Sequence, residues 1–264
     1  MPRRSIGGKR ILVTGASSGI GRAIATELAK EGASLVITAR REEKLREVGA
    51  EIATLGGLAE IVLGDITSAD TRARCLEQAV ARFGGLDILV NNAGLGAVGT
   101  FEQADAAQLR HIMEVNFFAP SELTRAALPL LKKGTDPLVV NISSILGHLA
   151  LPKFSEYCAS KFALEGWSRS LRLELKSQGV GVLIVSPAST ESEFFDRLFT
   201  GKTATHWRSR HPTSAEDVAR RIVRSIRRRR SRLFPSASAL WAHRINRLAP
   251  RLVDMVIGRR ASRS

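Results

Sequence analysis

Six short apolar segments alternate with five longer amphipathic ones through the first 185 residues, and this rhythm restricts the fold more than any single motif. Residues 10–14, 34–38, 58–63, 86–90, 138–142 and 180–185 read as strands. Helical periodicity covers 19–29, 42–54, 68–83, 105–131 (interrupted by Pro120 and Pro129) and 155–177. The strands are apolar along their length rather than alternating, so both of their faces must be covered. That pattern belongs to a parallel sheet with helices on each side, a doubly wound α/β fold. A further short strand near 232–234 would bring the sheet to about seven. A chain of 264 residues is enough for one such domain.

What joins the first strand to the first helix points to a phosphate. The run Thr14-Gly15-Ala16-Ser17-Ser18-Gly19-Ile20-Gly21 has the spacing G-x-x-x-G-x-G, not the more common G-x-G-x-x-G. The physics is shared. Glycines allow a tight turn and a close backbone approach, and the helix N-terminus behind them faces a pyrophosphate. The second strand ends at Thr38-Ala39-Arg40-Arg41, where a fold selective for NAD carries a carboxylate for the ribose 2′-hydroxyl. Here the first acid is Glu42. A guanidinium such as Arg40 suits a 2′-phosphate, so NADP is expected over NAD.

A second constellation is built around Tyr157, the only tyrosine of the chain, with Lys161 at i+4 and Ser144 thirteen residues upstream. On a helix, Tyr157 and Lys161 share a face one turn apart. An ammonium beside a phenol favours the phenolate and lowers a pKa that is otherwise about 10, as proton exchange near neutrality requires.

With Asn91-Asn92-Ala93-Gly94 closing the fourth strand, Asp65 after the third, and Asn116 in the long helix, the order and separation of motifs resemble the short-chain dehydrogenase/reductase family over roughly residues 8–235. The resemblance implies a Rossmann-type domain over 1–235 and an NAD(P)-dependent oxidoreductase acting on a CH–OH group. Tyr157 would give a proton to a carbonyl oxygen or take one from a hydroxyl. Lys161 would lower the Tyr157 pKa and bind the nicotinamide ribose, Ser144 rather than Ser143 would orient the substrate, and Asn116 would hold a water that relays protons to Lys161. The cofactor wall would comprise Gly15, Ser17, Ser18, Gly19, Ile20, Gly21, Arg40, Asp65, Ile66, Asn92, Ala93, Gly94, Tyr157, Lys161, Pro187, Thr190 and Ser192, with Asp65 at the adenine. No metal is implied. One departure is Ala188, where the family shows a glycine after the proline. The nicotinamide-contacting hydroxyl is then either Thr190 or Ser192.

The substrate side is bounded by 145–154, with Leu146, His148, Leu149, Leu151 and Phe154, and by 193–211, with Phe194, Phe195, Leu198, Phe199 and Trp207. These aromatics imply an apolar or bulky substrate, or equally a lid packed on the body. His148 reads as a loop residue. A carbonyl/alcohol pair is the expected substrate class. The narrower alternative is a 3-oxoacyl thioester, and the contrasting one is a catalytically silent nucleotide-binding scaffold. By the same resemblance, assembly to a homodimer or homotetramer would run through the helices at 105–131 and 155–177.

Charge enters the argument at the C-terminus. Of the net charge of +15, residues 202–264 carry +14. Within the extension 236–264, Trp241, Ile245, Leu248, Leu252 and Met255 form one apolar stripe and Arg244, Arg247 and Arg251 a basic one beside it, with Pro250 kinking or restarting the helix. Such a helix can lie on an anionic membrane surface, or it can cover the cleft or a partner subunit. No motif supports nucleic-acid binding. The N-terminus has no apolar run of signal-peptide type, and Cys75 and Cys158 have no metal-ligand spacing. A cytoplasmic protein, with peripheral membrane association as one reading, is expected.

Overall fold

In the computed structural model, residues 3–191 and 212–261 are described. Strands β1 (Arg10–Thr14), β2 (Ser34–Ala39), β3 (Leu58–Leu63), β4 (Ile88–Asn91), β5 (Leu138–Ile142) and β6 (Gly181–Val185) alternate with helices α1 (Gly19–Lys30), α2 (Glu42–Thr54), α3 (Ala69–Phe83), α4 (Ala106–Met113), α5 (Ala119–Lys133) and α6 (Ser155–Lys176). A two-residue strand β7 (Thr190–Glu191) pairs with β8 (Thr213–Ser214), which leads into α7 (Ala215–Arg227). Strand β9 (Arg232–Leu233) and helices α8 (Ala237–Leu248) and α9 (Pro250–Ala261) follow. The main sheet has the order β3-β2-β1-β4-β5-β6-β9, and every pairing is parallel.

This is the doubly wound sheet expected from the alternation, and its reason is visible in the core. One apolar cluster joins Ile11, Val13, Leu35 and Ile37 to α1, α2 and α7 on one face. The other joins Leu12, Val36, Leu89 and Val139 to α3, α5 and α6. Successive residues of β1 therefore serve opposite faces, so a strand with water on one side would waste half its side chains.

The long segment over 105–131 is one helical column rather than a broken one. Asp105 caps α4 by accepting from Gln108 N at 2.6 Å. A five-residue π-turn, Glu114–Phe118, then joins α4 to α5. Pro120 falls in the first turn of α5 directly after the π-turn, and Pro129 lies inside α5 without ending it. Pro250 starts α9 instead of breaking a helix.

The N-terminal edge of the sheet is held by Asp87. Its carboxylate accepts from Arg10 N at 3.0 Å, from the Arg10 guanidinium at 2.8 and 3.0 Å, and from Thr135 N at 2.6 Å. It thus ties β1, β4 and the approach to β5. Burial pushes this carboxyl up, but the Arg10 and Thr135 hydrogen bonds outweigh it and hold it at about 2, below the ordinary 3.8. A carboxylate depressed in the folded state contributes stability above its unfolded pKa and loses it as pH falls through the folded one. Stability from Asp87 is therefore full above pH ~4 and is shed toward pH ~2, an amount on the order of 2 kcal/mol. Asp87→Asn should lower the melting temperature at pH 7 and flatten the acid limb of a Tm-against-pH curve. An unchanged limb would remove Asp87 from this role.

Candidate active site

The strand order reverses at β1, which has β2 on one side and β4 on the other. In an open α/β sheet the crevice forms at that switch point, beyond the carboxyl ends of the strands. A cleft of about 330 Å³ lies there, walled at one end by Gly15–Gly21, Arg40 and Asp65 and at the other by Ser144, Leu151, Phe154, Tyr157 and Lys161.

At Gly15 and Gly21 the turn is packed too tightly for a side chain. A Cβ on Gly21 would stand 2.2 Å from the Gly15 carbonyl oxygen and 2.3 Å from Asn92 Nδ2. Gly15, at φ 66°, would press a Cβ to 2.8 Å from Ala93 Cα. Asn92 Nδ2 donates to the Thr14 and Gly15 carbonyls at 3.0 and 3.1 Å, while Thr14 Oγ1 accepts from the Asn92 and Ala93 amides, both at 3.0 Å. The motif 91–94 is therefore a brace for the turn as well as cleft wall. Ser18 begins α1 without a side-chain cap, and no acidic residue lies in the first turn, so the helix start suits an anion. The cradle that a Cβ would fill, together with this helix terminus, fits the pyrophosphate of a dinucleotide.

The two arginines after β2 divide their tasks. Arg41 donates to Ser18 Oγ at 2.5 Å and Ser17 Oγ at 3.3 Å, clasping the turn. Arg40 is more than half exposed and sits 3.5 Å from Asp65. Asp65 also accepts from Thr67 N and Oγ1 at 3.0 and 2.9 Å; burial opposes these contacts, but its carboxyl is held below the ordinary value. The sequence named both arginines but marked only Arg40 for the cofactor. That Arg41 reaches the glycine turn depends on how β2 ends beside it.

At the far end, the first two turns of α6 present Tyr157 and Lys161, which are 8% and 4% exposed. Lys161 Nζ donates to the Ile142 carbonyl at 3.2 Å and lies 5.7 Å from the Tyr157 ring centroid. Ser144 starts a short 3₁₀ turn, Ile145–Gly147; its Oγ accepts from Leu146 N at 3.1 Å and is hydrogen-bonded to Tyr157. The expected lowering of the phenol pKa by Lys161 is reversed in the chain by itself. Burial raises Tyr157 well above its ordinary value, with the Ser144 bond opposing only in part. Burial also pushes Lys161 down from 10.5 to about 8. Near neutral pH, Tyr157 is a protonated phenol beside a cation that gives up its proton unusually easily.

Each site residue expected from the sequence lines this cleft apart from Asn116 and Ser192. Asn116 stands behind the wall in the π-turn, 1% exposed. Its Oδ1 accepts from Leu95 N at 2.8 Å, and its Nδ2 donates to Leu95 O and Ser160 Oγ, both at 2.9 Å. Its amide group is committed to the 94–96 loop and to α6. Ser192 and the segment 193–211 lie outside the described residues. Thr190, the alternative hydroxyl, is in the wall and donates to Ala188 O at 3.3 Å. The sequence passed over Ser143, whose Oγ is buried in the same wall with no hydrogen-bond partner among the described residues. His148 turns away from the cleft and donates to or accepts from Ser186 Oγ at 3.0 Å. Burial and neighbouring cations lower it to about 4.

A doubly wound sheet with a glycine cradle at its switch point, and a serine–tyrosine–lysine set facing it, defines a domain of Rossmann type. Residues 9–203 match the family model described as short chain dehydrogenase, and the chain belongs to that family. Among curated proteins it is 39% identical over 196 residues to "11-beta-hydroxysteroid dehydrogenase A" of Sesamum indicum, covering 74% of this chain and 56% of that one. The chain thus spans little more than half the length of that relative. A short-chain dehydrogenase/reductase from Burkholderia phymatum in complex with NAD superposes with a TM-score of 0.86 at 24% identity, covering 94% of this chain and 96% of that one, a likeness of fold. A short-chain dehydrogenase from Burkholderia cenocepacia J2315 in complex with NADP superposes with a TM-score of 0.77 at 31% identity, covering 88% and 97%.

The contact between the glycine turn and Asn92 gives a direct test. Gly21→Ala should cost about 1–3 kcal/mol and lower the melting temperature by about 5 °C. Gly258→Ala, where an added Cβ meets nothing within 4 Å, should leave it unchanged or slightly raised. Equal effects at both positions would contradict the packing described.

Proposed function

We propose that the protein is an NADP(H)-dependent oxidoreductase that interconverts a carbonyl and an alcohol on an apolar substrate. The observation that carries this reading is the Ser144–Tyr157–Lys161 set at one end of a cleft whose other end is a glycine cradle. A bound nicotinamide dinucleotide supplies or accepts the hydride. In reduction, the Tyr157 hydroxyl gives its proton to the carbonyl oxygen, and the Ser144 hydroxyl fixes that oxygen by hydrogen bonding. In the reverse direction Tyr157, as the phenolate, takes the proton from the alcohol. Lys161 stabilises the phenolate left after donation and holds the ribose hydroxyls. Asn116 keeps α6 and the 94–96 loop in register behind it.

The clasp of Arg41 on Ser17 and Ser18, and the exposed Arg40 at the mouth, favour a 2′-phosphate and hence NADP. Leu146, Leu151 and Phe154 wall the substrate end and pack with Val98 and Tyr157, which supports an apolar substrate. The name of the Sesamum indicum relative makes an oxo- or hydroxysteroid a reasonable member of that class. Phe118, Phe162 and Leu173 are exposed on the α5–α6 side and support subunit association there.

A second reading concerns α8 and α9. Trp241 is 57% and Leu248 85% exposed, and Ile245, Leu252 and Met255 are exposed with them. The apolar stripe of the sequence therefore faces outward, and the helix docks on the body through Ala239, His243 and Asn246 instead. Neither helix lines the cleft. Arg244, stacked on Trp241 at 5.3 Å, and its neighbours Arg247 and Arg251 complement an anionic lipid surface. No helix among the described residues is long and apolar enough to cross a membrane.

Two measurements test these readings. With NADPH and a panel of steroid, acyl-thioester and small ketones, Tyr157→Phe should lower turnover at least ~100-fold while NADPH affinity stays within a few-fold. Retained turnover, or NADH bound as tightly as NADPH, would refute the mechanism or the cofactor assignment respectively. Sedimentation with phosphatidylserine vesicles should be salt-sensitive and weakened by Trp241→Ser with Leu248→Ser. Equal sedimentation of variant and parent would refute lipid binding by this face.

A further inference from the structure

The turn that begins with Ser144 is fastened by a helix outside the sheet. Four bonds hold that turn from within, Leu146 N to Ser144 Oγ at 3.1 Å, Gly147 N to Ser144 O at 3.0 Å, and His148 N and Leu149 N to Ile145 O at 2.9 and 3.3 Å, and Ile145 N reaches Pro187 O at 2.8 Å. A 3₁₀ turn of this length has poor hydrogen-bond geometry and little stability of its own. Its last carbonyl, that of His148, accepts from Asn246 Nδ2 of α8 at 2.7 Å, across 98 residues of chain.

The His148 side chain, 7% exposed, is the second point of attachment. Its ring centroid lies 4.6 Å from His243 of α8 and 5.4 Å from Phe234, and Phe234 and His243 are stacked at 4.7 Å. Its Nε2 meets Ser186 Oγ at 3.0 Å beyond β6, and Glu165 Oε2 of α6 lies 3.5 Å away. Glu165 in turn accepts from Arg232 of β9 at 3.0 Å. The ends of β6 and β9, α6 and α8 thus converge on one residue, and that residue closes the turn whose first member is Ser144.

We propose that α8 is a strap that sets the position of Ser144, with Asn246 and His243 as positioning residues acting through His148. The Ser144 hydroxyl is shared between Leu146 N and Tyr157, so a shift of the turn moves the group that orients the carbonyl oxygen. Misplacement of an orienting group by about 1 Å can cost on the order of 100-fold in rate. The extension beyond the catalytic domain therefore completes the substrate side of the site without entering it.

This inference rests on the carbonyl/alcohol reading for its kinetic part, and its structural part can be read without turnover. Asn246→Asp keeps the shape of the side chain and removes the donor; Asn246→Gln keeps a donor. In the full chain, Asn246→Asp should speed amide hydrogen exchange at 145–149. It should also lower kcat/KM for a turned-over ketone about tenfold, while NADPH affinity stays within about twofold. Asn246→Gln should recover part of both losses. His243→Leu, which keeps an apolar body against Phe234, is the second variant if Asn246→Asp does not fold, and it should raise exchange in the same amides. Unchanged exchange would overturn the strap. Faster exchange with unchanged kcat/KM would overturn its positioning of Ser144. If no carbonyl compound is turned over by the parent protein, the oxidoreductase reading fails, while exchange at 145–149 still decides the strap.

Discussion

The structure depends on a close approach of backbone to backbone at the end of β1. Gly21 faces the Gly15 carbonyl with no space for a methyl group, and Asn92 reaches across from β4 to bond the same carbonyl. Here the chain leaves the sheet, starts α1 and opens the crevice in one step. A side chain at Gly21 would push the helix off the sheet and close the space a pyrophosphate needs. Packing and binding therefore make the same demand on the same residue, and a single atom of room decides both.

At the other end of the cleft the demand is electrostatic. Tyr157 and Lys161 are both nearly inaccessible, and burial alone moves them apart, the phenol upward and the ammonium down to about 8. The fold accepts this cost because α6 is held from behind. Asn116 bonds Ser160, and Asn141 bonds Ser168 at 2.8 Å while accepting from Asn91 at the same distance. These buried amides link β4, β5 and α6 into a rigid backing, so two costly side chains stay aimed at the cleft. Buried, hydrogen-bonded polar groups of this kind add specificity of geometry more than net stability, even with Asn91 Oδ1 left without a partner among the described residues.

Much of this was legible in the residues. The apolar strands announced a sheet covered on both faces because parallel strands leave no side for water. Glycine spacing, Tyr157 with Lys161 at i+4, and Ser144 thirteen residues earlier marked both ends of the cleft, since local geometry depends on short separations. Less legible were facts that depend on partners far along the chain. Arg41 rather than Arg40 touches the glycine turn. Asn116 faces inward, bonded to Leu95 and Ser160, rather than lining the wall. The stripe of Trp241, Ile245 and Leu248 marked α8 as amphipathic, yet it faces outward and the helix docks by its small and polar face.

The sequence by itself determined the element order, the parallel sheet, the cradle and the Ser–Tyr–Lys set. Each follows from periodicity or from spacing within a turn or two of backbone. Only the tertiary structure decided which arginine clasps the turn, the sign of the Tyr157 shift and the face by which α8 is attached. Those outcomes are set by burial and by contacts between residues up to 98 positions apart, which no local pattern encodes.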